Sequence, residues 1–412
     1  MRTSSGRRHP LLLGLVFATA ACGVAPPSQP APSSRVPPTA APSATESLHA
    51  STLPSRLPSP SVSCVASTFS SLTPAQRIGQ LFVVGLRKNR LDESERTGIA
   101  DLHFGSMAFT TQTSIGVDGV RRITDAVQEL ATPANTGSIR FFIAANQEGG
   151  LIQGLSGAGF DRIPSAVDQG SLSAVALRTK AARWGRQLGA AGVNFNFAPV
   201  ADVVPPGTDA HNAPIGQLQR EFGHDPATVT AQVTEFITGM ARAGIATSAK
   251  HFPGLGRVAG NTDFTSGVVD KVTTRDDPYL APFAAAVDAH VPFVMVSLAT
   301  YERIDPDHLA AFSHEVVTGL LRDEMGFRGV VISDAIGGTA AVKDIPPADR
   351  AIDFLDAGGD MIISNQVGPA SDMARAIAAR VRTDSSFSAR VDDAVRHILR
   401  AKDQAGLLPC SG

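Results

Sequence analysis

"GIATSAKHFPGLGRVAGNTDFTSG" (residues 244–267) runs from a short apolar stretch into a Lys-His pair and then into a loop holding four glycines and one proline. A buried strand that ends in two groups preferring charge needs a polar place to deliver them. The mouth of a barrel is such a place, because active sites of (β/α)8 barrels gather at the carboxyl ends of their strands. Working outward, apolar runs of strand length recur at 80–86, 104–109, 140–145, 193–199, 245–250, 292–297, 329–333 and 360–364. Helical stretches lie between them, among them "AVALRTKAARWGRQLGAAG", "ATVTAQVTEFITGMARAG" and "EVVTGLLRDEMG", each ending near a glycine suited to a left-handed C-cap. This alternation reads as α/β, a single-domain (β/α)8 TIM-like barrel. A doubly wound open sheet is the alternative, but no G-x-G-x-x-G opens a helix after any of these strands.

Polar groups follow the runs as that fold requires. Asn146-Gln147-Glu148 follows "FFIAA", Asp202 follows "FNFAPVA", Lys250-His251 ends "IATSA" and Asp334 follows "GVVIS". Asp334 is the sharpest candidate, since a carboxylate fixed at a strand end can attack an anomeric carbon and form a glycosyl ester. A helix N-cap is its structural alternative. Lys250 and His251 are donors for sugar hydroxyls. Lys250 could also be a Schiff-base nucleophile, although no glycine-rich phosphate site follows the last strands. Arg220, in "PIGQLQREFGHDP", offers a planar donor fork, and Glu148, in "NQEGG", is a ligand-binding carboxylate or an organiser of its loop.

The chain has 412 residues, 43% hydrophobic, with 36 basic against 38 acidic side chains. That balance argues against nucleic acid, which needs a concentrated basic surface. The histidines show neither H-E-x-x-H nor H-x-H spacing and no cysteine cluster exists, so the expectation is a hydrolase with no metal and no cofactor, acting on a carbohydrate and monomeric by default. Arg2, Arg7 and Arg8, the apolar run Leu11 to Ala18 and small residues before Cys22 read as an export signal over 1–21, with Cys22 as a lipidation site. The Pro/Ser-rich segment 22–63 reads as an extended tether, membrane contact being only through the lipid anchor, and 64–412 as the barrel. The expected location is extracytoplasmic, anchored to the cell membrane or secreted. There, one Cys64–Cys410 disulfide is the economical pairing and two free thiols the alternative.

"NQEGGLIQGL", "VNFNFAPVADV", "REFG", "KHFPGLG", "GFRGVVISDA" and "AGGDMIIS" stand in the order and spacing of the glycoside hydrolase family 3 N-terminal barrel, which this chain resembles from about Thr73 onward. The resemblance is to its single-barrel bacterial β-N-acetylglucosaminidases, which include exported lipoproteins. It implies a retaining β-N-acetylhexosaminidase acting on cell-wall-type glycans, with Asp334 as nucleophile and Lys250, His251 and Arg220 binding the terminal sugar. The chain departs from the family pattern at Asn146, where an Asp is usual, at Leu151 and Gly154, where arginines stand, and at Leu255, where a second histidine does. In that branch the acid/base is the histidine of an Asp-Ser-His triplet, and here the triplet reads Asp263-Phe264-Thr265. A threonine cannot shuttle protons near neutral pH. Three readings follow: Asp263 is the acid/base, another group such as His211 enters on a mobile loop, or hydrolysis is lost and a carbohydrate-binding pseudoenzyme remains. Residues 254–267 are then expected to form a flexible flap over the sugar.

Overall fold

The computed structural model describes residues 63–410; the signal segment, Cys22 and nearly all of the tether lie outside the described residues. Eight parallel strands close into one barrel: β1 Phe82–Leu86, β2 Ser106–Phe109, β3 Phe142–Ala145, β4 Phe195–Asn196, β5 Ala246–Phe252, β6 Phe293–Val296, β7 Val330–Ala335 and β8 Met361–Ser364. Each pairs with its neighbours in chain order, and β8 returns to β1 with Phe82 opposite Ile362. The eight apolar runs of the sequence supply these eight strands. They read as continuous apolar runs because helices cover the outside while side chains fill the inside.

The interior is filled by aromatic rings. Phe142 of β3, Phe195 of β4 and Phe293 of β6 are fully buried, with Phe195 stacked on Phe293 at 4.1 Å between centroids and Phe142 edge-on to Phe293 at 5.4 Å. Since β3 and β6 are not adjacent strands, these contacts cross the barrel axis and close its floor. Below them, the fully buried ammonium of Lys402 donates to Gln80 Oε1 and to the carbonyls of Gly105 and Arg140.

The helices form where their caps allow. Ala174–Ala190 begins at Ser173, whose hydroxyl accepts from Ala176 N–H, and Pro226–Ala241 begins at Asp225, which accepts from Thr228 N–H. Gly192, Gly244 and Gly326, just beyond the three helical stretches singled out in the sequence, all have positive φ. The third stretch, Glu315–Glu324, winds as a π-helix rather than with the expected α period.

Two differences bear on the site. β4 is only two residues long, ending at Asn196 well short of the expected 193–199. The chain nevertheless stays beside β5, with Lys250 N–H donating to Pro199 O and Ala201 N–H donating to Lys250 O. The glycine loop, expected to be a free flap, is tied along much of its length. Asn212 Nδ2 donates to the carbonyls of Leu255 and Val258 at 2.7 Å each, and Ala340 and Ala341 N–H donate to Asp263 O and Thr262 O at 3.1 Å. Only the tip from Asp263 to Gly267 is exposed throughout.

The ends of the described chain are joined by a Cys64–Cys410 disulfide with a Cα–Cα distance of 5.8 Å. It links the helix Cys64–Ser71 to the segment after Ser385–Gln404, two helices that pack together.

Candidate active site

A cavity of about 360 Å3 opens at the carboxyl ends of the strands. Asn146, Lys250, His251 and Asp334 reach it from β3, β5 and β7, while Arg220 and Asp263 reach it from loops. Five of the seven residues expected to act on substrate come directly from strand ends or the turns after them. The other two needed the loops to fold back.

At the base of the cavity Glu148 holds two cations. Its carboxylate accepts a bidentate pair from Arg220, Nε to Oε2 and Nη2 to Oε1 at 2.8 Å each, and Lys250 Nζ lies 2.6 Å from Oε1. Glu148 does not line the cavity itself; it orients the two residues that do. Burial alone would raise its carboxyl, but Arg220 and then Lys250 outweigh that and bring it from 4.5 to about 2. Lys250, 2% exposed, answers differently: burial pushes its ammonium down more strongly than Glu148 pulls it up, and Arg220 adds to the depression. The two directions are compatible, because one anion is shared between two buried cations. We take Glu148 as ionised and Lys250 as the strained partner. Lys250 Nζ also donates to Asn146 Oδ1 at 2.8 Å, so the neutral Asn146 supplies an acceptor and Glu148 the charge.

His251 is held from the other side. Its Nδ1 is 2.8 Å from Asp202 Oδ2, and its backbone N–H and that of Leu255 both donate to Asp202 Oδ1. A carboxylate partner assigns the proton to Nδ1, leaving Nε2 toward Arg220 Nη2 at 3.5 Å and the cavity. Asp202 is fully buried. The sequence marked it only as a polar group after a strand; the structure gives it the task of positioning His251.

Asp334 is half-buried at the end of β7 and lines the cavity. One oxygen accepts from Ala335 N–H at 2.7 Å, and no helix starts there, the next helical turn being Ala340–Val342. It is a rim carboxylate rather than an N-cap. Asp263 lines the same cavity from the loop tip, where it is exposed to solvent. Desolvation against the cavity wall and then the nearby Asp334 carboxylate raise its carboxyl above the ordinary range, against the pull of His251, Arg220 and Lys250; the solvent exposure of the side chain weakens this effect. Two carboxylates in one cavity with one of them raised is the electrostatic pattern of an acid working beside a nucleophile.

His211 lies on the exposed turn Asp209–His211 and Thr265 on the exposed loop tip; neither lines the cavity. Phe264 does line it, with 82% of its surface exposed, and sequence reasoning missed it. Its signal was an aromatic residue in an otherwise small and polar loop.

Residues 73–401 match the glycosyl hydrolase family 3 N terminal domain. The chain belongs to this family and is a glycoside hydrolase. A beta-hexosaminidase of Alkalilimnicola ehrlichii is 32% identical over 292 residues, 68% of this chain and 79% of that protein. Among solved structures, a beta-N-acetylhexosaminidase from Beutenbergia cavernae superposes with a TM-score of 0.79 at 44% identity, covering 80% of this chain and 98% of the other. LpqI of M. tuberculosis superposes with a TM-score of 0.68 at 26% identity, covering 80% and 94%.

Proposed function

We propose that the protein is an exported, lipid-anchored retaining β-N-acetylhexosaminidase that removes terminal sugars from cell-wall-type glycans. The observation that carries the reading is the pair of carboxylates in one cavity, Asp334 on a rigid strand end and Asp263 with a raised pKa on the facing loop. Asp334 attacks the anomeric carbon as the glycosidic C–O bond breaks, and protonated Asp263 gives its proton to the departing oxygen. Water then attacks the glycosyl ester, Asp263 takes the water's proton, and the ester bond to Asp334 breaks to release the sugar. Arg220, Lys250 and His251 bind sugar hydroxyls and the acetamido oxygen, pre-oriented by Glu148 and Asp202. Phe264 offers an apolar wall at the mouth for the leaving group.

The names of the relatives support the choice of N-acetylhexosamine. The Cys64–Cys410 disulfide supports an oxidising compartment. Loss of membrane association in a Cys22→Ala variant would test the anchor. The presence of Thr265 where the branch carries its histidine favours a second reading, a carbohydrate-binding protein without turnover.

Trapping separates the two. Activated fluoroglycosides of a substrate series reduce the need for an acid, so a competent nucleophile yields a covalent adduct by intact mass that Asp334→Ala abolishes. Adduct formation with an N-acetylhexosaminide is expected. Glycan binding with no adduct from any sugar would overturn the hydrolase reading.

A further inference from the structure

The loop that delivers Arg220 carries a second cluster, which the proposed reaction does not use. Asp209, Glu221 and His224 each present a ligand-capable atom, and these atoms all lie within 4.8 Å of one another. Glu221 is 1% exposed, and its Oε2 is buried with no hydrogen-bond partner among the described residues. A buried, unpartnered carboxylate oxygen beside a second carboxylate is costly unless a cation or proton neutralises it. His224 Nδ1 sits 3.5 Å from Asp209 Oδ1 and 3.2 Å from the carbonyl oxygen of Val204, so an ion held by Nδ1 replaces the Val204 contact.

We propose that Asp209, Glu221 and His224 form a binding site for one divalent transition ion, zinc foremost. The donor set decides the class. Carboxylate oxygen and imidazole nitrogen are both ligand types that zinc accepts, with water filling the remaining positions, whereas calcium prefers six or more oxygens and no imidazole. His224 and Asp209 are 40% and 38% exposed, so water can reach the remaining coordination positions. The site escapes a search by sequence spacing because its ligands come from the turn Asp209–His211 and from the stretch between Leu218 and the helix Pro226–Ala241. Glu221 directly follows Arg220 in the chain, so a bound ion cross-links the segment that holds Arg220 against Glu148. The ion is a clamp on the loop and takes no part in bond cleavage.

The test uses the full chain stripped with a chelator and titrated calorimetrically with zinc chloride and, separately, calcium chloride. One zinc per chain is expected, with calcium far weaker. Glu221→Gln and His224→Ala should each weaken that binding by on the order of tenfold or more, and Asp334→Asn should leave it unchanged, which distinguishes this site from the sugar cavity. Zinc should also raise the melting temperature of the wild type and not of His224→Ala, whose half-exposed ring can be removed without disturbing the fold. The proposal is overturned by absence of zinc binding at micromolar concentrations, by binding undiminished in both cluster variants, or by binding lost in Asp334→Asn alone.

Discussion

Replacing Glu148 with glutamine removes the one anion shared by Arg220 and Lys250 while keeping the side chain's shape. The cost can be worked from the charge balance. In the fold the carboxyl sits at about 2 against an ordinary 4.5, with burial opposing and Arg220 and Lys250 favouring ionisation. At about 1.4 kcal/mol per pH unit, that gap corresponds to about 3 kcal/mol of stability at neutral pH. Lys250 offsets part of it, because burial depresses its own ammonium, so about 3 kcal/mol is an upper figure. The sign follows from the depressed pKa. The contribution is present above pH 4.5 and is lost as the pH falls through about 2. Urea denaturation of wild type and Glu148→Gln should therefore differ by up to about 3 kcal/mol at pH 7 and by less than half as much near pH 3 as at pH 7. A double variant, Glu148→Gln with Lys250→Met, should recover some of the loss, since a buried cation is removed along with its partner. Equal stability of the two proteins at pH 7, or a gap that does not shrink on acidification, would refute the reasoning and mean that water rather than Glu148 balances the two cations.

Asp263→Asn should lower kcat on substrates with poor leaving groups by about 10²- to 10⁴-fold, and much less on activated aryl glycosides. It should also abolish the alkaline limb of the kcat/KM profile that reports loss of the Asp263 proton. Lys402, fully buried, is lowered from 10.5 to about 7 by burial, so the unfolded chain binds more protons between those values and wild-type stability should rise with pH across that window. Denaturation of Lys402→Met over the same range should lack that rise. Reduction of the Cys64–Cys410 bridge, which spans 346 residues of sequence, should cost about 6 kcal/mol in the chain-entropy treatment. The check is a denaturation curve of the Cys64→Ser variant against the oxidised wild type.

The barrel was legible because its strands are buried on both faces and so appear as uninterrupted apolar runs bounded by glycines. Asp334, Lys250 and Asn146 were legible for the same reason: a polar group at the end of such a run has only the barrel mouth to enter. Loops obey no such rule. The salt bridge of Arg220 to Glu148 joins residues 72 positions apart, and nothing local to either sequence announces the other. Asn212 is a plain polar residue in sequence, yet its side chain fastens the glycine loop through two carbonyls and so turns an expected flap into an anchored wall. That anchoring bears on the missing histidine. Because Thr262 and Asp263 are tied by their carbonyls to the segment 340–341, the chain reaches the cavity at Asp263 and then turns away, leaving Thr265 at the exposed tip. Asp263, by contrast, already lines the cavity that holds Asp334, and its carboxyl is raised above the ordinary range. That placement is what supports the proposal of Asp263, the first member of the triplet, as the acid: it rests on where the backbone is held rather than on which residue type the family uses.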